Sequence, residues 1–304
     1  MEIADDTLAR PDRLLALGAA LITVAFWSSA FVGIRSAGHA FSPGALALGR
    51  LAVGSLILGA FVLARRERLP PRSTLPAIVL CGVLWFGVYN VALNAAERRL
   101  DAGTASMLVN VGPILIALLA GIFLDEGFPR MLLVGCAIAF AGVAVIGLAS
   151  SQRGISAAGT LLCLLAAAAY AVAVVAQKQV LHRASALQTT WLCCLVGTFA
   201  CAPFALSLGR EVTEAPASSI GWIVYLGAFP TALGFTTWAF ALARTDAGRL
   251  GSMTYLVPPL SILLGWALLG ETPAALAIGG GAICLAGVAV ARHAPSPRPR
   301  PPEP

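Results

Sequence analysis

Ten runs of mostly apolar residues, each near 20 residues long, follow one another along the chain. They fall at 14–34, 43–64, 75–95, 103–124, 130–149, 157–177, 187–208, 220–242, 250–269 and 273–291. A helix of about 20 apolar residues crosses the hydrocarbon core of a bilayer. Only a helix or a closed barrel satisfies its own backbone polar groups there. The sequence therefore predicts an all-α integral membrane protein of ten transmembrane helices. Charged residues make up 11 % of the 304 residues, against about 25 % in an ordinary soluble domain. That deficit excludes an ordinary soluble protein, a disordered chain and a nucleic-acid binder, despite the net charge of +6.

The basic residues set the orientation. With the N-terminus in the cytoplasm, fourteen Arg and Lys fall in cytoplasmic segments and five on the other side; Arg50 lies within a span. Cytoplasmic loops carry the excess of positive charge, so both termini are expected there. The first run is expected to remain as a span rather than to be a cleaved leader. It continues past Ser28-Ser29-Ala30 to Ile34, and nine more runs follow.

The chain also repeats itself. Residues 101–145 match 246–290 without gaps at 17 of 45 positions, where chance at this composition gives about 4. Asp101-Ala102-Gly103 pairs with Asp246-Ala247-Gly248, Pro113 with Pro258, Glu126 with Glu271, and the two AGVAV runs coincide. The first spans match more weakly at an offset of 143, Trp27 with Tyr170 and Arg35 with Lys178. Each repeat holds five runs. Five is odd, so the second repeat enters the membrane from the opposite face, and the two are inverted. Inverted repeats place a substrate site near the midplane between them. The predicted organisation is a cytoplasmic segment 1–13, a five-helix repeat 14–149, a second one 157–291, and a Pro/Arg-rich cytoplasmic tail 292–304.

These residues resemble the EamA-type family of the drug/metabolite transporter superfamily. The carrying features are Trp27 in the first span, Ser42-Pro43 followed by Arg50-Leu51, the Asp-Ala-Gly start of the fourth span, its proline, the Leu-Asp-Glu or Leu-Gly-Glu close, and the paired glycines Gly135/Gly142 and Gly280/Gly287. The resemblance implies a bacterial inner-membrane carrier that exports amino acids or related small metabolites. A lipid-linked, nucleotide-sugar or drug-like substrate, or a facilitative channel, stays open. The partners it implies are a small-molecule substrate and membrane lipid. A homodimer is open, and nothing in the sequence requires one.

The candidate substrate path is Trp27, Arg50, Tyr89, Asn90, Asn94, Asn110, Tyr170, Phe235, Trp238 and Tyr255. Arg50 lies seven or eight residues into the second span, where an unpaired cation is costly. It binds a substrate carboxylate or ties neighbouring carbonyls together. Asn90 and Asn94 are four apart and share one helix face, with Trp85 and Tyr89 beside them. Asn110 and Tyr255 hold equivalent repeat positions one turn before Pro113 and Pro258, which are expected to kink their helices. Trp27, Tyr170, Phe235 and Trp238 would furnish an aromatic wall. Glu126 and Glu271 close their spans and are expected to cap the hairpins, each meeting the N-terminus of the helix that follows.

The absences also constrain the chain. No Asp or Glu falls in the middle of a run, and His39, His182 and His293 lie in loops or the tail. Facilitated diffusion, or coupling through a residue at a helix end, is favoured over coupling through a titrating side chain at mid-span. No metalloprotease, nucleophile-elbow or nucleotide-binding motif occurs, so neither catalysis nor a cofactor is expected. The seven cysteines lie in apolar runs without metal-ligand spacing, and no metal site is expected.

Overall fold

The computed structural model describes residues 10–67, 69–100, 105, 108–150, 156–269 and 275–292. Among these residues the chain is helical, with no strand. Eleven helices follow in order: α1 (Arg10–Gly38), α2 (Pro43–Ala64), α3 (Arg72–Glu97), α4 (Gly112–Phe123), α5 (Arg130–Ser150), α6 (Ala157–Leu181), α7 (Ala186–Ala200), α8 (Ala202–Glu214), α9 (Ala217–Leu242), α10 (Ala247–Leu268) and α11 (Ala275–Arg292).

Six of them, α1, α2, α3, α6, α9 and α10, are long and apolar enough to cross a membrane. A seventh span is formed if α7 and α8, bent by 52°, count as one. α4, residues 130–145 of α5 and residues 278–291 of α11 are apolar but shorter. Outward-facing side chains are heavily apolar: Leu56 and Leu63 of α2 and Leu206 of α8 are each about three-quarters exposed. Such a surface is stable against hydrocarbon and not against water.

The sequence repeat reappears as a repeat of contacts. α2 and α7 start at Ser42 and Ser185, 143 residues apart, and both serines sit in extended backbone as N-caps. Ser185 completes its own capping box with Gln188, whereas the Ser42 amide donates to the Glu211 carboxylate at 2.8 Å. Near the ends of α3 and α9, Arg99 donates to the Ala95 carbonyl and Arg244 to the Phe240 carbonyl, the same bond at an offset of 145.

Glycines hold the repeats together at two sets of equivalent positions. A Cβ built on Gly227 of α9 would stand 2.7 Å from the Arg50 carbonyl and 2.5 Å from Val53 of α2. A Cβ on Gly82 of α3 would stand 2.7 Å from the Cys193 carbonyl and 2.6 Å from Val196 of α7, the counterparts of Arg50 and Val53. The second set joins α5 to α11. Gly135 faces Ala291, Ala139 faces Gly287, and Gly142 faces Cys284, with built Cβ atoms 2.3–2.6 Å from main chain. As one number rises the other falls, so the last helices of the two repeats pack antiparallel. Gly279, by contrast, has open space around it.

α3 and α9 each contain a π-helical segment at the same place in the repeat, Gly82–Tyr89 and Gly227–Leu233. The causes differ. In α9, Pro230 supplies no amide to the ladder. In α3, Asn90 donates to the carbonyls of Trp85 and Phe86 at 3.1 and 3.0 Å, taking up acceptors that the wider turn leaves. π-segments widen a helix locally and are frequent at functional sites.

The fourth spans are also interrupted at matching points. Asn110 and Val111 form a turn before α4, and Pro113 stands in the first turn of that helix. In α10 a 3-10 turn, Thr254–Leu256, precedes Pro258. A proline in the first turn sacrifices no hydrogen bond, because that amide has no intrahelical partner anyway.

Candidate functional site

A cavity of about 60 Å³ lies where α1, α2, α3, α6, α9 and the two interrupted spans converge. Trp27, Arg50, Tyr89, Asn90, Asn110, Pro113, Tyr170 and Phe235 line it, all of them singled out from the sequence. Trp85, Leu93, Thr254 and Val257 complete much of the wall.

Its aromatic side is a continuous cluster. Trp27 packs on Trp238, Phe235 and Trp85 with ring centroids 5.0, 5.2 and 5.8 Å away. Tyr170 lies 4.9 Å from Trp85 and 6.5 Å from Trp27, its own repeat counterpart. Tilted and edge-on pairs at these distances are the favourable ones. The Trp27 Nε1 donor is buried and has no partner among the described residues.

Arg50 supplies the charge. Its side chain is only 4 % exposed, and its Nε donates to the Thr231 hydroxyl at 3.0 Å. Thr231 belongs to the π-segment of α9, so the cation of one repeat is held by the distorted helix of the other. Arg50 also borders the cavity, and its guanidinium is a planar fork of donors. A carboxylate matches that fork. Arg50 has no basic counterpart: the equivalent residue is Cys193.

Three of the sequence candidates lie outside the lining. Asn94 donates from Nδ2 to the Pro43 carbonyl at 3.0 Å, tying α3 to the start of α2. Trp238 is buried behind Trp27 and Trp85. Tyr255 is fully buried in the cluster around the α5–α11 pair, with Ala117, Cys136 and Cys284, and its hydroxyl has no partner among the described residues. Asn110 lines the cavity and Tyr255 does not, so the two repeat counterparts are placed differently.

Glu126 caps a helix, but not the one that follows it in its hairpin. Its carboxylate accepts from the amides of Ala247 and Gly248 at 2.7 and 3.1 Å, the first turn of α10 in the other repeat. Asp125 and Gly127 on either side adopt positive φ, 55° and 64°, and so turn Glu126 away from α5. Burial pushes its carboxyl above the usual range, while the two amides pull the other way. Glu271 lies outside the described residues.

Sequence reasoning missed Thr231, a threonine in an apolar run with no motif around it, and both π-segments. It also did not single out Glu97. Both Glu97 carboxylate oxygens are buried, without a hydrogen-bond partner among the described residues. Among the same residues, no group of His, Cys, Asp and Glu is arranged to hold a metal ion.

A bundle of apolar helices in two matching halves, closed around a buried arginine and an aromatic cavity, is the form of a multi-pass membrane transporter. Comparison with known proteins makes this specific. The model of the EamA-like transporter family matches residues 14–148 and 157–292, and the chain belongs to that family. It is 34 % identical over 273 residues to a protein of Streptantibioticus cattleyicolor named "Probable terminal-alkyne amino-acid exporter", covering 90 % of this chain and 92 % of that one. It is 25 % identical over 294 residues to a "Probable amino-acid metabolite efflux pump" of Salmonella typhimurium, covering 92 % and 94 %. A solved crystal structure has the same fold, with a TM-score of 0.73 at 22 % identity over 91 % of this chain and 96 % of that one.

Proposed function

We propose that the chain is an inner-membrane secondary carrier that exports amino acids or related small metabolites by alternating access. In this reading ten segments cross the membrane: the six long helices, the bent α7–α8 pair, and α4, α5 and α11. They form two inverted repeats, 14–149 and 157–291, with both termini cytoplasmic. The antiparallel α5–α11 pair supports the inversion independently of any count of spans. The bias of Arg and Lys supports the orientation.

The observation that carries the substrate reading is Arg50. A guanidinium anchored to Thr231 and facing an aromatic cavity suits a carboxylate on a mostly apolar molecule. Asn90 and Asn110 border the same space and supply polar contacts for the rest of the ligand. The names of the two exporter relatives point to the same class. At about 60 Å³ the cavity is far below the roughly 300–1,000 Å³ of ligand pockets, so in this reading part of its wall moves to admit substrate.

The test compares metabolites in the medium of cells expressing the wild type and Arg50→Ala at matched expression. Accumulation of a carboxylate-bearing compound with the wild type alone supports the reading. Equal accumulation with both retains export and removes Arg50 from the binding site. No difference from cells carrying an empty vector rejects export.

A further inference from the structure

Gln177 of α6 is fully buried, and neither its amide nitrogen nor its amide oxygen has a hydrogen-bond partner among the described residues. Burying an unbonded carboxamide is costly. Chains break the rule that buried polar groups are bonded chiefly where function demands it. A second conformation in which the amide is bonded gives the chain a reason to keep it.

Its place in the fold gives the direction. Gln177 follows Tyr170 by seven residues, two turns of helix, and shares its face of α6. Tyr170 lines the cavity, and Gln177 stands about 10 Å further along the same helix. Between them that face carries Ala173 and Val174, both fully buried. Val174 packs in one apolar cluster with Tyr170, Ile116 of α4, Leu242 of α9, and Leu250 and Met253 of α10. Side chains of four helices therefore plug the bundle beyond the cavity.

Two charged side chains fasten the same four helices. The Nζ of Lys178, next to Gln177, donates to the carbonyls of Leu242 and Thr245 at 2.5 and 2.7 Å, tying α6 to the end of α9. Glu126, in the turn after α4, accepts the first amides of α10 at 2.7 and 3.1 Å. Both grip main chain on either side of the short α9–α10 junction. With both termini in the cytoplasm, this end of the bundle is the cytoplasmic one.

We infer that Gln177 is the cytoplasmic station of the substrate path. When Lys178 and Glu126 release the α9–α10 junction, the plug parts, and the carboxamide hydrogen-bonds an amino-acid-like substrate on its way to Arg50. A carboxamide both donates and accepts, so it serves the carboxylate and the ammonium of such a molecule alike. The substrate class rests on the proposed function, whereas the opening rests on the geometry and is testable without substrate.

Gln177→Leu keeps the approximate size of the side chain and removes its polar atoms. It is expected to raise the melting temperature and to lower the initial rate at which the wild type's exported compound accumulates by up to about tenfold, the worth of one hydrogen bond. Unchanged export in this variant overturns the inference. The opening is read from Gln177→Cys in the full-length protein, in phosphatidylcholine nanodiscs, with a membrane-impermeant maleimide. Labelling is expected to be slow, and about tenfold faster once Lys178→Ala is added, as the open population grows. Lys178→Ala alone supplies the background from the seven native cysteines, all of them buried. If the double variant fails to fold, Glu126→Ala replaces Lys178→Ala. Equal labelling rates with the fastening intact and removed overturn the inference. Both faces of a nanodisc meet the reagent, so this result depends neither on orientation nor on the exported compound, and its failure is distinct from failure of the export reading.

Discussion

The thiol of Cys284 donates to the carbonyl of Ala139 at 3.3 Å, and the two residues occupy the same position of the two repeats. A residue that touches its own counterpart lies on the axis relating the halves. Trp27 and Tyr170 repeat the relationship inside the aromatic cluster. The axis therefore passes both the α5–α11 seam and the cavity wall. Because α5 and α11 meet antiparallel along it, the seam is self-complementary, as in a two-fold interface.

Small residues on that seam set how closely the helices approach. Gly142→Ala and Gly287→Ala place a methyl within 2.6 Å of main-chain atoms, which cannot retreat as a side chain can. Overpacking of this kind costs about 1–3 kcal/mol, and leucine at either position costs more. Both leucine variants are expected to yield less folded, monodisperse protein in detergent. Gly279→Ala, on the open side of the same helix, is expected to leave the melting temperature unchanged or slightly raised. Thermal melts followed by size-exclusion chromatography make the comparison. Equal stability in all of the variants removes the seam from the stability of the fold.

Glu126 joins the repeats by accepting two amides of the opposite one. Glu126→Ala leaves both amides without their cap, a loss of about 0.5–2 kcal/mol. The pH dependence has a definite sign. The folded-state carboxyl titrates above its unfolded value, so the folded state holds the extra proton. The contribution of that proton to stability is complete below the ordinary carboxylate range and is lost as pH rises through the folded value. The melting temperature of the wild type, relative to Glu126→Gln, is expected to fall across that interval. A constant difference at every pH would mean that Glu126 does not titrate differently on folding.

What the sequence revealed and what it hid divide along physical lines. The repeat was plain over 101–145 and 246–290 because the α5–α11 seam tolerates only small residues at fixed spacing. The π-segments were hidden because they arise from different causes, Asn90 in one repeat and Pro230 in the other, in stretches that share few letters. Arg50, Asn110 and the aromatic wall were readable as polar or bulky residues inside apolar runs. Thr231 was not, since one hydroxyl in a span is commonplace, and its meaning comes from Arg50 reaching it across the repeats. Glu97 was not singled out, since it falls past the end of the third apolar run. The burial that makes it notable is made by helices far apart in sequence.

Asn110 and Tyr255 share a repeat position, yet only Asn110 borders the cavity. Asn110→Ala is expected to lower the initial export rate several-fold at unchanged expression. Tyr255→Phe removes a buried hydroxyl that has no partner among the described residues, so export and stability are expected to stay at wild-type levels or rise slightly. Export assays and melts on the two variants separate the positions. A loss of export in Tyr255→Phe with normal folding would place that hydroxyl on the path.

Thr231 gives the sharpest test of how Arg50 is held. Thr231→Val keeps the shape of the side chain within the π-segment of α9 and removes only the acceptor of the Arg50 Nε proton. A hydrogen bond to a charged group contributes about 1.5–3 kcal/mol, so a loss of roughly tenfold or more in apparent affinity is expected if the bond orients the guanidinium for its ligand. The maximal rate should change less, because the cation itself remains. Thr231→Ser restores the hydroxyl and should restore the affinity. Arg50→Lys keeps the charge but has no fork, and should stay impaired even with Thr231 intact. Wild-type affinity in Thr231→Val would show that Arg50 reaches its working position without help from the opposite repeat.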